Sequence, residues 1–283
     1  MLRIVTDSSA DLSRDLLDAM GIQVVPLKVH FGTTTYREGE DLGSTEFYQL
    51  LSQAEQLPTT SQPSAGDFYE MYAPLTANGD SVLSIHISSK LSGTCQSALA
   101  AKDMLPEADI IVIDSLSASA GHGMVVLAAA EAVRKGKGRD EVIALVERVI
   151  KGLEIVFVVD TLEYLQKGGR IGGAAALAGT LLNLKPLLEI RDGRVEPLAK
   201  VRTRKKALRR ALEVLAKRFD GQDSLRMMVL HAECPEGAEQ LAQQVRERFG
   251  CTSLQLAEIG PVIGTHAGPG TLGLAAYSQE LVS

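Results

Sequence analysis

Gly264–Gly273 reads GTHAGPGTLG, and within it Gly268-Pro269-Gly270-Thr271-Leu272-Gly273 has the spacing G-x-G-x-x-G. Read as a dinucleotide-binding turn, this stretch would make the chain a nucleotide-binding fold. That fingerprint works when it follows a strand, opens a helix and has an acidic residue about 20 positions on to hold a ribose. Only ten residues follow Gly273, too few for a further strand and an acidic partner, and a proline separates the first two glycines. The glycines therefore read as backbone shaped for tight turns and close approach. His266 is then either held in place by that backbone or exposed on a C-terminal turn.

Upstream, short apolar runs alternate with stretches of helical period. Strands are predicted at Leu2–Thr6, Gln23–Val29, Ser81–Ile87, Asp109–Asp114 and Glu154–Val159. Helices are predicted at Leu12–Met20, Ser44–Gln53, Ala65–Leu75, Gly93–Met104, Ala118–Lys135 and Arg139–Lys151. Such alternation predicts an α/β fold, with a parallel sheet covered by helices on both faces. Asp7-Ser8-Ser9, Ser88-Ser89 and Asp114-Ser115 end three of these strands, and ligands of open α/β sheets sit at that edge.

After about residue 155 the texture changes. Pro186–Arg191 and Arg194–Ala199 flank Asp192-Gly193, a strong hairpin signal. A helix, a strand at Leu225–His231, another helix and a strand at Ser253–Ile259 follow. The expected organisation is an N-terminal α/β domain, 1–153, and a C-terminal mixed α/β domain, 154–283.

Bulk properties exclude several functions. The net charge of −6 disfavours nucleic acid and anionic membrane as partners, and the lack of Trp with 4 % aromatics disfavours base stacking. Cys95, Cys234 and Cys251 are odd in number and far apart, so neither a disulfide framework nor a zinc site is expected. The histidines lack metal-site spacing. Met124 to Ala130, the longest apolar run, stops at Glu131, far short of a membrane span. With no apolar leader at Met1–Asp7, a cytoplasmic protein is expected.

Five stretches could carry chemistry. PTTSQPS, Pro58–Ser64, holds four hydroxyls in a loop that Pro63 keeps extended, either as helix caps or as donors to an anion. SSKLSGTCQSA, Ser88–Ala98, puts Ser92 and Thr94 at a helix start, where a carboxylate or phosphate would be stabilised or the helix merely capped. Ser115, Ser117 and Ser119 form a weaker set of turn and cap residues. LQKGGRIGGAAALAG, Leu165–Gly179, presents Arg170 between glycine pairs but matches no phosphate loop. KVRTRKKALRR, Lys200–Arg210, is a basic patch in an acidic protein. It reads as a solvated helix face, a site for an acidic or phosphorylated partner, or a nucleic-acid contact without a known motif.

In order along the chain, TDSSADL, TTSQPS, SSKLSGT, KGGRIGG, LKPLLEIRDGRVEPLAKVRTRKKA and GPVIGTHAGPG resemble the DegV family of bacterial fatty-acid-binding proteins. The resemblance implies two α/β domains with a long-chain, palmitate-like fatty acid buried between them and no other cofactor. It implies that Thr60, Ser61, Ser92, Thr94 and His266 serve the carboxylate. A carrier of this kind hands its fatty acid to an ATP-dependent fatty acid kinase, which makes an acyl phosphate for phospholipid synthesis. Arg170 and Arg202 match positions tied to phosphoryl transfer and kinase docking.

The chemistry suits the role. A carboxylate at the mouth of an apolar tunnel needs donors, and burying about 14 methylenes contributes about 11 kcal/mol gross. Cys95 departs from the family, where an aromatic is common. No nucleotide-binding loop is visible, so the chain is not expected to be an enzyme alone. The rival readings are a Ser92/His266 acyl hydrolase or phosphatase acting on a small lipid-like substrate, and a regulator using the basic patch on nucleic acid.

Overall fold

In the computed structural model, residues 1–177, 185–222 and 224–283 are described. The first half runs β1 (Leu2–Asp7), α1 (Arg14–Met20), β2 (Gln23–Val25), β3 (Lys28–Phe31), β4 (Thr34–Arg37), α2 (Ser44–Gln53), β5 (Thr59–Ser61), α3 (Ala65–Thr76), β6 (Ser81–His86), α4 (Thr94–Asp103), β7 (Ile110–Asp114), α5 (Ser119–Arg134) and α6 (Arg139–Gly152). The second runs β8 (Glu154–Val158), α7 (Glu163–Lys167), β9 (Lys185–Arg191), β10 (Arg194–Val201), α8 (Arg204–Arg218), β11 (Leu225–His231), α9 (Pro235–Arg248), β12 (Cys251–Glu258), α10 (Pro261–Ala267) and β13 (Leu272–Ser278).

The N-terminal sheet is parallel, in the order β2-β1-β6-β7. Val5 and Val82 face Phe68, Tyr72, Ala98 and Ala101 of α3 and α4, whereas Ile4, Leu83 and Ile85 face α5. Both faces are apolar and covered, so β1 and β6 show no alternation. The C-terminal sheet is mixed, in the order β10-β9-β8-β13-β11-β12. Val156, Val229 and Leu274 pack under α8 and α9, and the opposite face, through Met228, Ala275 and Tyr277, meets the cluster around α5. Helix α5 is buried from Ser119 to Ala130 and joins both sheets in one apolar cluster. The run Met124–Ala130 is thus apolar all round because it has sheet on both sides.

Three expectations are corrected. Gln23–Val29 is not one strand. Pro26, with no N–H to donate, separates β2 in the parallel sheet from β3 in a small antiparallel sheet, β4-β3-β5. Secondly, the tail after Gly270 is a strand. Leu272–Ser278 lies between β8 and β11 and is buried throughout, so it lacks the alternation that would mark it. Thirdly, Gly264–Ala267 is not turn but the end of α10, which stops at Gly268 with φ +78°. The last two residues of the Leu165–Gly179 stretch lie outside the described residues.

The Asp192-Gly193 hairpin forms as its sequence predicts, with φ +50° and +79°. Its tip crosses to the other half. Ser88 Oγ donates to Gly193 O at 2.8 Å, and a Cβ on Gly193 would collide with that hydroxyl.

Candidate functional site

A cavity of about 300 Å³ opens where the two sheets face each other. Leu27, Ile87, Leu91 and Ala118 line it from the first half, and Ile155, Phe157, Leu165, Ile190, Val195, Leu230 and Val262 from the second. Among its polar lining are Thr60, Ser61, Ser92, Arg170 and His266. Five of the seven residues singled out in the sequence therefore meet at one cavity, from four distant segments. Thr94 is buried at the start of α4 behind Ser92, their hydroxyls 2.8 Å apart. Arg202 lies outside the lining, exposed on the bend before α8.

Local folding explains each placement. Thr60 and Ser61 are on β5, with Thr60 paired to Val29. Pro63 ends that strand, and Ser64 caps α3 with a reciprocal capping box to Asp67. Ser61 is held by His30, whose Nε2 lies 2.9 Å from Ser61 Oγ. Ser92 precedes α4, and Gln62 packs against Gly93, where a Cβ would lie 2.5 Å from its Nε2.

His266 ends α10. Its Nε2 lies 2.8 Å from Thr60 Oγ1, while Nδ1 is buried with no hydrogen-bond partner among the described residues. Burial first, then the nearby Arg170 guanidinium, pushes its pKa down to about 4, so the imidazole is neutral near pH 7. When Nε2–H donates to Thr60, the threonine hydroxyl proton is left for a ligand oxygen. Arg170 Nε donates to Leu91 O at 3.0 Å, and Nη1 to Gly168 O at 2.7 Å. Two hydrogen-bonded groups thus sit side by side on a largely apolar cavity: Thr60 with His266, and Arg170 with the carbonyls of Gly168 and Leu91, the guanidinium close enough to bear on the imidazole. No carboxylate orients the His266 imidazole among the described residues, so the third member of a nucleophile–base–acid arrangement is missing.

The glycine-rich segments exist for close approach. A Cβ on Gly168 would collide with His266 Nδ1, and one on Gly268 with the Tyr164 ring. At Gly172, with φ +52°, a side chain would meet the Val195 backbone carbonyl. The G-x-G-x-x-G spacing is a coincidence of the turn from α10 into β13. There Gly270, with φ +77°, lies against Asp160.

One polar network was not anticipated. Asp7 is fully buried, and its carboxylate accepts from Ile87 N at 3.0 Å, from His86 Nδ1 at 2.9 Å, and from both N–H and hydroxyl of Ser9. His122 Nε2 lies 3.6 Å from the same carboxylate and 3.0 Å from Thr6 Oγ1. Burial alone would raise the Asp7 pKa, but His122 and His86 hold it well below the usual carboxylate range. Burial also pushes His86 down, so its Nδ1–H donates as neutral imidazole. Asp7 was visible as a strand-end residue. His86, one strand away, has no sequence signal linking it to Asp7.

Three of the seven basic residues of Lys200–Arg210 have acidic partners among the described residues. Arg209 and Arg210 pair with Glu213, and Arg204 reaches Asp160 at 3.4 Å. Arg202 forms no ion pair among the described residues. No helix among the described residues is long and apolar enough to cross a membrane.

A family model described as an uncharacterised protein of the DegV family matches residues 1–279. A DegV domain-containing protein of Halalkalibacterium halodurans is 41 % identical over 280 residues, covering 99 % of each chain. Among solved structures, a DegV family protein of Thermus thermophilus described for its fatty acid binding superposes with TM-score 0.94 at 41 % identity, covering 98 % of this chain and 99 % of that one. A stearic acid-binding protein of Eubacterium ventriosum superposes with TM-score 0.92 at 28 % identity, covering 99 % of both.

Proposed function

Because the chain belongs to the DegV family, we propose that it binds one long-chain fatty acid in the cavity between its halves, 1–153 and 154–283. The tail lies along Ile87, Leu91, Phe157, Ile190 and Leu230. The carboxylate is met by Thr60, Ser61 and Ser92, with His266 ordering Thr60 and Thr94 ordering Ser92. The observation that carries this reading is the combination of an apolar cavity with a cluster of polar groups in its lining, the hydrogen-bonded Thr60–His266 pair with Ser61, Ser92 and Arg170. Tail burial supplies the affinity, and the polar cluster replaces the water that a carboxylate would lose. The similarity to fatty-acid-binding relatives supports the same ligand class.

The finer part of the proposal is that the bound acid is presented, in the cytoplasm, to a separate ATP-dependent fatty acid kinase that converts it to an acyl phosphate. Arg170 would face the added phosphoryl charge, and exposed Arg202 would meet an acidic kinase surface. The chain itself then needs no nucleotide loop. A Ser92/His266 hydrolase is disfavoured because His266 engages Thr60 and has no orienting carboxylate among the described residues. Lipid mass spectrometry of the extracted protein tests the reading. One equivalent of fatty acid per chain supports it, and an empty protein that turns over acyl esters sinks it.

A further inference from the structure

The helix that carries His266 is held at its opposite end by two carboxylates from the N-terminal half. Asp11 Oδ1 accepts from Gly260 N at 2.9 Å, and Glu38 Oε1 accepts from Val262 N at 2.7 Å. Both oxygens close on Gly260, whose φ of −74° makes no demand for glycine. A Cβ there would lie 2.7 Å from Glu38 Oε1 and 2.9 Å from Asp11 Oδ1. The other oxygens are also engaged. Ser119 Oγ donates to Asp11 Oδ2 and Ser8 Oγ to Glu38 Oε2, each at 2.5 Å.

We infer that Asp11 and Glu38 are positioning residues for His266: they seat the amide end of α10 on the N-terminal half and so hold the imidazole in the cavity. The inference rests on the head-group reading above. Helix α10 has seven residues, including Gly264, and a helix that short is not stable by itself. Its position is set by what grips its ends. Carboxylates at the first N–H groups are favoured by their partial positive charge. Tyr48, on α2, adds a hydrogen bond to Ile259 O at 3.0 Å just before the helix.

Two neighbouring carboxylates, Glu38 buried and Asp11 half-buried, cannot both ionise cheaply. Burial pushes Glu38 up to about 7, and burial together with Glu38 raises Asp11 well above its ordinary range. The surrounding groups do not relieve this. Asp7 ends β1, Glu40 follows β4, Glu258 ends β12, and on α1 the cation Arg14 is taken by Asp18 at 3.0 Å. A carboxyl that binds its proton more tightly when seated than when released favours the seated state at low pH. That preference declines as pH rises from the ordinary carboxylate range to about 7 and is flat above.

Amide hydrogen exchange of the ligand-free, full-length protein between pH 5 and 8.5 tests this. Gly264 and Gly268 report on α10, their N–H groups bonding Gly260 O and Gly264 O at 2.7 and 2.9 Å. Corrected for intrinsic exchange, their opening constant should rise toward pH 7 by at most about tenfold per unit, then level. Glu38→Ala should open α10 at least about tenfold at pH 6 and weaken palmitate binding. Glu38→Gln keeps an acceptor for Val262 N–H without repelling Asp11. It should restore palmitate binding and make the pH profile shallower, and Asp11→Asn should also flatten it. A flat wild-type profile, or Glu38→Gln behaving as Glu38→Ala, overturns the inference. His266→Ala separates the two readings, since it should weaken palmitate binding without changing exchange at Gly264. Unchanged palmitate binding in His266→Ala sinks the head-group reading, while the exchange profile still decides the seat.

Discussion

Gly168 and His266 pack so closely that no side chain fits between them: a Cβ on Gly168 would occupy the place of His266 Nδ1. The glycine of KGGRIGG and the histidine of GTHAGPG, far apart in sequence, are therefore two halves of one contact. Gly168 has φ −75°, an ordinary helical value, so close approach and not backbone freedom explains it.

Gly168→Ala should push the imidazole away from Thr60 with no backbone penalty of its own. Fatty acid affinity should fall by about tenfold or more, because the His266–Thr60 hydrogen bond is lost in a buried setting. Titration calorimetry with palmitate checks this, alongside a urea unfolding curve. Overpacking should lower stability by about 1–3 kcal/mol. Wild-type affinity would show that the imidazole does not need its present place.

Ser92→Ala removes one donor from the cavity while leaving Thr94 buried behind it. Binding should weaken by about 1–3 kcal/mol, since a buried carboxylate loses a partner. Competition between palmitate and a long-chain alcohol sharpens the test. The mutation should penalise the acid more than the alcohol, and an equal loss would assign Ser92 to packing.

Arg202→Glu should leave fatty acid content unchanged, because Arg202 is exposed and outside the cavity lining. Acyl phosphate formation with the cognate kinase should slow at low carrier concentration and low salt, and excess carrier should partly restore it. Wild-type turnover under all these conditions would reduce the patch to a solvated helix face.

Asp7→Asn should destabilise the protein by about 3 kcal/mol at pH 7, because Asn cannot accept at both oxygens where Ile87, Ser9 and His86 donate. The pH dependence follows from both groups. Asp7 has a depressed folded pKa, so its contribution is present above its unfolded value and lost as pH falls below about 4. His86 is also depressed, so protons favour the unfolded chain from about pH 6.5 downward. Urea unfolding at pH 7, 4 and 3 should show wild-type stability falling with acid, and the fall between about pH 4 and 3 should be less steep in the variant. An identical slope in both would remove Asp7 from the acid response.

The alternation of apolar runs and helical periods was enough to determine the parallel sheet. Each run has only one way to bury its surface between two helix layers. Asp192-Gly193 determined its hairpin because positive φ at both turn positions suits that pair. Local chemistry of this kind is complete within a few residues. The residues around the cavity were also legible, as hydroxyls, an arginine and a histidine at element ends. Their convergence on one carboxylate was expected only through the family resemblance, and the contacts that bring it about were not legible. That Thr60 meets His266, that Gly168 makes room for it, and that Asp11 and Glu38 grip the far end of α10 all depend on packing between segments with no sequence periodicity in common. Strand β13 shows the same limit. Buried on both faces and built partly of Gly and Ala, it carries no polar alternation to mark it, and its place between β8 and β11 makes it a strand.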